Sequence, residues 1–364
     1  MTFLRNMALQ IPQLRRLYEQ RNALLCERDG LVSRLGDCSG SPFLHYNAIF
    51  DPMEVVRRHA ARDIRPNQSY LTNYLGVLID PKFFPDILAG MAGQIDVVPI
   101  PANWHADLAE WGAALRAVDL ARGAFTVVEL GCGWGCWVNN TGVAARRAGL
   151  DVHLVGVEAD AGHVAFASEA CEANGFSPGQ VTLHRGVAAL APGFALFPRQ
   201  GRAGLHWGLE PIFSATDEQR RSAVESGACD EVPMIPLDRL LGQLARADLL
   251  HMDIQGGEAD LVAGCAPALT AKVAYLVVGT HSRQIEGRIM ETMFRAGWTL
   301  EIERPAIYGA TGEHAPALTV DGVQGWRNPA VAGADSAWRG GIPVSGNLFP
   351  AAAKNPGHRE IRST

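Results

Sequence analysis

Apolar and polar positions follow one another in blocks along this chain, and the period changes from block to block. From Gln13 to Leu35, leucines recur at Leu17, Leu24 and Leu31, with Leu14 and Leu35 on the flanking seam positions. A seven-residue apolar repeat predicts a helix, and about three heptads is the lower limit for a coiled coil. Arg21 and Arg28 fall on seam positions, where a parallel dimer would face like charge with like charge. A single amphipathic helix is therefore the simpler reading, and a homodimer through this helix is the other. The run from Gly36 to Pro42 (GDCSGSP) breaks the helix as a linker. Residues 43 to about 100 show little period beyond a helical stretch at Met53–Arg62, and are expected to cap the core.

A different rhythm begins after residue 100. Asn103 is a plausible N-cap for a helix whose Leu108, Trp111 and Leu115 share one face. From Phe125 onward, short β-branched runs alternate with helical patterns. The expected strands end near Leu130, Val157, Arg185, Ile254, Gly279 and Glu303, and Ala317–Trp326 is expected as a seventh, antiparallel strand. Helices are expected at 140–147, Ala161–Ala173 and Arg288–Gly297. Such alternation predicts an α/β fold with a parallel sheet covered by helices on both faces. Residues 191–232 read as an irregular insertion with a polar helix-like run from Asp217, of the kind that forms a lid or a substrate wall. The expected organisation is a helix and linker over 1–40, a cap over 41–102, the α/β domain over 103–327, and a Gly/Ala/Pro/Ser-rich, poorly ordered tail over 328–364.

Composition narrows the partners. The 364 residues carry a net charge of -6 with no basic stripe, which argues against nucleic acid. Neither a signal peptide nor an apolar run long enough to span a bilayer is read. The 7 cysteines are scattered and odd in number, which suits a reducing cytoplasm. Cys132 and Cys136 lack a third cysteine at cluster spacing, so no metal centre is expected there.

The candidate chemistry sits at two strand ends. In VELGCGWG (128–135) a strand breaks into the spacing G-x-G-x-G, and Gly131, Gly133 and Gly135 offer backbone without Cβ for close approach to a ligand. Dinucleotide sites use G-x-G-x-x-G with a pyrophosphate on the helix N-terminus. Here Glu129 stands two residues before the first glycine, where a carboxylate repels pyrophosphate and suits an ammonium, which points to S-adenosylmethionine. Glu158, at the tip of the second strand, is placed for ribose hydroxyls, and Val187 in the loop after the third strand for adenine. The second end, HMDIQGGE (251–258), puts Asp253 and Gln255 where open α/β sheets bind ligands, with Glu258 opening the next helix. His281, at the tip of the fifth strand, is the expected general base, because an unperturbed imidazole titrates near neutral pH. Asp253 is the alternative base. His105, Gln255 and Glu258 are expected on the substrate. A divalent cation on Asp253 and Glu258 stays open, although two carboxylates are a thin ligand set.

Together, VELGCGWG, VGVEAD (155–160), IPLD (235–238), MDIQGGE (252–258) and VGTHS (278–282) resemble the FkbM family of SAM-dependent methyltransferases across residues 100 to 310. The resemblance implies the class I methyltransferase Rossmann-like fold, with a seven-stranded, mostly parallel sheet, and methyl transfer to a hydroxyl. It implies a sugar or glycan acceptor, with a polyketide as the alternative. An NAD-dependent oxidoreductase and a non-catalytic coiled-coil scaffold are the rival readings from other classes.

Overall fold

The computed structural model describes residues 41–309, 316–332 and 344–345. The heptad helix and most of the tail lie outside the described residues. The chain divides into two compact units. Of the unit made by Met1–His45 and Asn347–Thr364, the described part is residues 41–45, with a 3-10 turn at Pro42–Leu44. Everything below concerns the other unit, Tyr46–Gly346.

The β-branched runs become the strands of one sheet: β1 (Ala124–Leu130), β2 (Asp151–Glu158), β3 (Val181–Arg185), β4 (Ala247–Met252), β5 (Val273–Thr280), β6 (Thr299–Arg304) and β7 (Gly322–Arg327). Their spatial order is β3-β2-β1-β4-β5-β7-β6. The first five pair in parallel, and β7 runs antiparallel to both of its neighbours. Asn47–Ala48 and residues 344–345 extend the edge beyond β6. Every residue of β4 and β5 is buried, as befits central parallel strands; β5 is an almost unbroken apolar run, while β4 also buries Asp248 and His251. This is the class I methyltransferase form of the Rossmann-like fold. Strand order reverses between β1 and β4, so a crevice opens at their C-terminal ends.

Eight helices are used below: α1 (Pro52–His59), α2 (Leu108–Leu120), α3 (Cys136–Arg147), α4 (Ala161–Ala173), α5 (Asp217–Glu225), α6 (Leu237–Gly242), α7 (Glu258–Lys272) and α8 (Arg283–Arg295). Val128, Leu250, Leu276 and Val278 of the sheet pack with Leu261, Val262 and Leu269 of α7 and Ile289 of α8 in the main core. α2 packs on β4 to β7 and buries Leu108, Trp111 and Leu115. Among the described residues no helix is long and apolar enough to cross a membrane.

Three expectations are revised. Asp107, not Asn103, caps α2, accepting from the N–H groups of Ala109 and Glu110, whereas Asn103 holds the preceding turn through His105 and Ala106. The stretch 191–232 carries strands besides the expected helical run from Asp217, which becomes α5. Gly193–Pro198 and Cys229–Pro236 join Val187–Ala189 in a small sheet, because Ala195, Phe197, Val232 and Val187 close a second core. Most of Ala317–Val320 pairs with Ile307–Gly309, and β7 starts only at Gly322. Residues 46–102 share one compact unit with the α/β core: α1 packs on α2, where a Cβ on Gly112 would lie 2.6 Å from Pro52.

Asp107 also pairs with Arg304 at the end of β6, both side chains being at least 96% buried. Removing one partner of a buried pair costs about 3–5 kcal/mol. Asp107→Ala is expected to lose that much stability in urea unfolding, the lost helix cap being part of it.

Candidate active site

A cavity of about 650 Å³ lies at the C-terminal ends of β1, β2 and β4, within the usual range for small-molecule sites. Gly131, Gly133, Glu158, Val187, Asp253 and Gln255 are among its lining residues.

The glycine turn is bare because its own neighbours leave no room. Gly131 has φ +72° and Gly133 φ +53°. A Cβ on Gly131 would lie 2.1 Å from the Asp253 carbonyl oxygen, and one on Gly133 would lie 2.8 Å from the Trp207 ring. The tips of β1 and β4 therefore meet with only backbone between them. Gly135 is left-handed too, but it begins α3 and does not line the cavity.

Glu129 has a different partner from the expected ammonium. It is buried away from the cavity lining, and its carboxylate accepts from the N–H groups of Trp137 at 3.1 Å and Val138 at 2.9 Å. The first N–H groups of a helix lack internal partners, and Glu129 supplies them. Burial pushes its carboxyl up to about 7, against the pull of His251 and of those two N–H groups.

Glu158 does stand at the cavity wall. Its oxygens accept from the N–H groups of Gly133 and Asp160, both at 2.8 Å. Opposite, the insertion delivers Trp207, stacked between Phe84 at 4.1 Å and His163 at 4.0 Å. A lone tryptophan in a polar stretch was the available signal for this wall, but its partners are distant in sequence.

The second cluster is organised around Asp253, whose side chain is 41% exposed. Asp253 Oδ1 lies 3.3 Å from His281 Nε2 and accepts from Gln255 Nε2 at 3.1 Å. His281 Nδ1 lies 3.1 Å from Glu258 Oε1, an ion-pair contact off the line of a hydrogen bond. Burial alone would lower the His281 pKa, but the two carboxylates outweigh it and push it up to about 10. Burial likewise works against the Asp253 charge, yet His281 holds its pKa below the ordinary value. His281 is thus a cation at neutral pH with no lone pair to accept a proton, which removes the reason for expecting it to be the base.

Glu258 and His105 also sit differently from expectation. Glu258 is fully buried behind the cavity wall and accepts from the N–H groups of Ile254 and Gly256. His105 packs among Phe84, Trp104, Trp134 and Trp137 rather than lining the cavity. Burial, with His251 nearby, lowers its pKa to about 4, so it is neutral. Donor atoms of Asp253, Glu258 and His281 lie within 4.8 Å of one another, close enough to consider a cation. Each imidazole nitrogen, however, faces a different carboxylate, and one ion takes only one nitrogen of a ring. The geometry suits an imidazolium bridging two anions.

No family model matches the chain. A protein of Jannaschia sp. (strain CCS1), named "Putative methyltransferase", is 40% identical over 277 residues, covering 76% of this chain and 98% of that protein. Among solved structures, a precorrin-6y C5,15-methyltransferase from Geobacter metallireducens aligns with TM-score 0.32 and 10% identity over 58% of this chain and 84% of its own. A structure from Pyrococcus horikoshii named "putative RNA methyltransferase" aligns with TM-score 0.35 and 9% identity over 63% of this chain and 88% of its own. Likeness that distant carries no argument about activity.

His281 gives a pH signature. Its folded pKa, about 10, lies above the ordinary histidine value. The stability it contributes is complete below that ordinary value and is lost as pH rises through about 10. Glu129, at about 7, has finished its own change before then. Between pH 8 and 10 the denaturation midpoint is expected to fall more steeply in the parent protein than in His281→Gln; parallel curves would contradict the assignment.

Proposed function

Because the chain belongs to the methyltransferases, on its identity with the Jannaschia protein, we propose that the cavity between β1 and β4 performs S-adenosylmethionine-dependent methyl transfer to a hydroxyl. The observation that carries this reading is the charge of the wall. Glu158, Glu210, Asp253 and Asp260 line the cavity, and among the described lining residues none is Lys or Arg. Asp260 is paired with Arg288 on α8 and Asp253 with His281, so Glu158 and Glu210 are the acids that keep the wall negative. A pyrophosphate would find no cation there, and the first N–H groups of α3 are already engaged by Glu129. The same wall suits a positively charged cofactor, which speaks against the NAD reading. The bare turn at Gly131 and Gly133, Glu158 toward ribose and Val187 toward adenine fit that cofactor.

Bound S-adenosylmethionine supplies a methyl group on a cationic sulfur. The protein's contribution is to hold the acceptor oxygen in line and to keep water out. Asp253 is the group for the acceptor. Its Oδ1 is occupied by His281 and Gln255, and its Oδ2 takes no hydrogen bond among the described residues. A carboxylate so placed accepts the hydroxyl proton as the oxygen attacks. The bridging imidazolium keeps Asp253 ionised and oriented, so His281 acts through it. The FkbM-type motifs favour a sugar hydroxyl as acceptor, with a polyketide hydroxyl as the alternative.

In calorimetry the protein is expected to bind S-adenosylmethionine and not NADH. Glu158→Ala is expected to weaken that binding, and an unchanged dissociation constant would contradict the ribose assignment. Asp253→Asn is expected to lose roughly 10²–10⁴ in turnover, the usual contribution of a general base, with cofactor affinity held. The assay is release of demethylated cofactor with methyl glycosides as acceptors.

A further inference from the structure

Resting on the reading of Asp253 as the acceptor's partner, we propose that Glu258 is the positioning residue of the site: one buried carboxylate sets both groups that orient Asp253. The first route runs through the backbone. Glu258 Oε1 accepts from Ile254 N–H at 3.1 Å and from Gly256 N–H at 3.0 Å, and its Oε2 accepts from Gly256 N–H at 3.0 Å. These two amides flank Gln255. Between them Gln255 is held at φ +61°, the one non-glycine with a left-handed backbone among the described residues. A residue in that conformation persists only where its surroundings impose it, and such residues gather at functional sites. The conformation carries the Gln255 side chain back to Asp253, where Nε2 donates to Oδ1 at 3.1 Å.

The second route runs through the ring of His281. Nδ1 stands 3.1 Å from Glu258 Oε1, while Nε2 stands 3.3 Å from Asp253 Oδ1. Glu258 is fully buried and His281 is mostly so, their side chains 0% and 16% exposed, whereas Asp253 is open to the cavity. The order from inside to outside is therefore Glu258, His281, Asp253, acceptor. Both partners of Asp253 Oδ1 trace back to Glu258, which leaves Oδ2 as the face turned to the hydroxyl. A helix-opening glutamate is ordinarily explained by the helix dipole; here it reaches two backbone amides and one ring as well.

Two variants separate positioning from general structure. Glu258→Gln keeps an oxygen for the backbone amides and removes the charge facing His281. In histidine-labelled protein followed by NMR, the His281 titration is expected to move well below that of the parent. Turnover is expected to fall at least tenfold, with the S-adenosylmethionine dissociation constant within twofold. Gln255→Gly fits the left-handed backbone without strain but removes the amide that holds Asp253. It is expected to melt at or above the parent temperature and still lose about tenfold in turnover, a combination that a purely structural role does not produce. An unmoved His281 titration in Glu258→Gln, or full turnover in Gln255→Gly, would overturn the proposal. Should Glu258→Gln fail to fold, Gln255→Gly decides. Full turnover in Asp253→Asn would instead overturn the underlying reading of the acceptor site.

Discussion

At Gly131 the chain has room for a hydrogen and nothing larger. The backbone carbonyl of Asp253 occupies the place a side chain would take, at 2.1 Å from the missing Cβ. That contact locks the C-terminal tip of β1 to the tip of β4, the parallel pair at which the strand order reverses. Much of the site follows from it. The turn after β1 becomes one bare wall of the cavity, and the residues just beyond β4 become the other. Asp253 contributes its carbonyl to the lock and its carboxylate to the opening.

Buried carboxylates are costly unless hydrogen-bonded or paired, and this fold compensates each of them differently. Glu129 caps the start of α3, and Glu158 takes the Gly133 amide. Asp107 meets Arg304, and Glu258 gathers two loop amides and a histidine. The backbone N–H groups of Gly133, Trp137, Val138, Asp160, Ile254 and Gly256 are thereby engaged by protein carboxylates rather than turned to a phosphate. The electrostatic character of the pocket is thus a by-product of how the fold satisfies its own acids.

The parallel strands were legible because a central strand is buried on both faces and must be largely apolar, as β5 is throughout most of its length. The glycine turn and the DIQGGE element were legible for a related reason: close approach and tight loops admit few residue types. The small sheet formed by Val187–Ala189, Gly193–Pro198 and Cys229–Pro236 was not legible, since its strands carry prolines and its core draws on positions as far apart in the chain as Ala159 and Val232. Trp207 was visible as a residue, but its place between Phe84 and His163 was not.

By itself, then, the sequence determined the α/β architecture, the two strand ends that carry the chemistry, and the residue types gathered there. It did so because periodicity, glycine and local charge act over a few residues. Which way each acid points was settled only in three dimensions. Glu129 and Glu158 stand at the ends of neighbouring strands in similar local settings, yet one turns to a helix end and the other to the cavity. His281 carries nothing in its sequence neighbourhood to raise its pKa; Asp253 and Glu258 do so from more than twenty residues away. Charge acts through space, and the chain alone does not say which charges will be near.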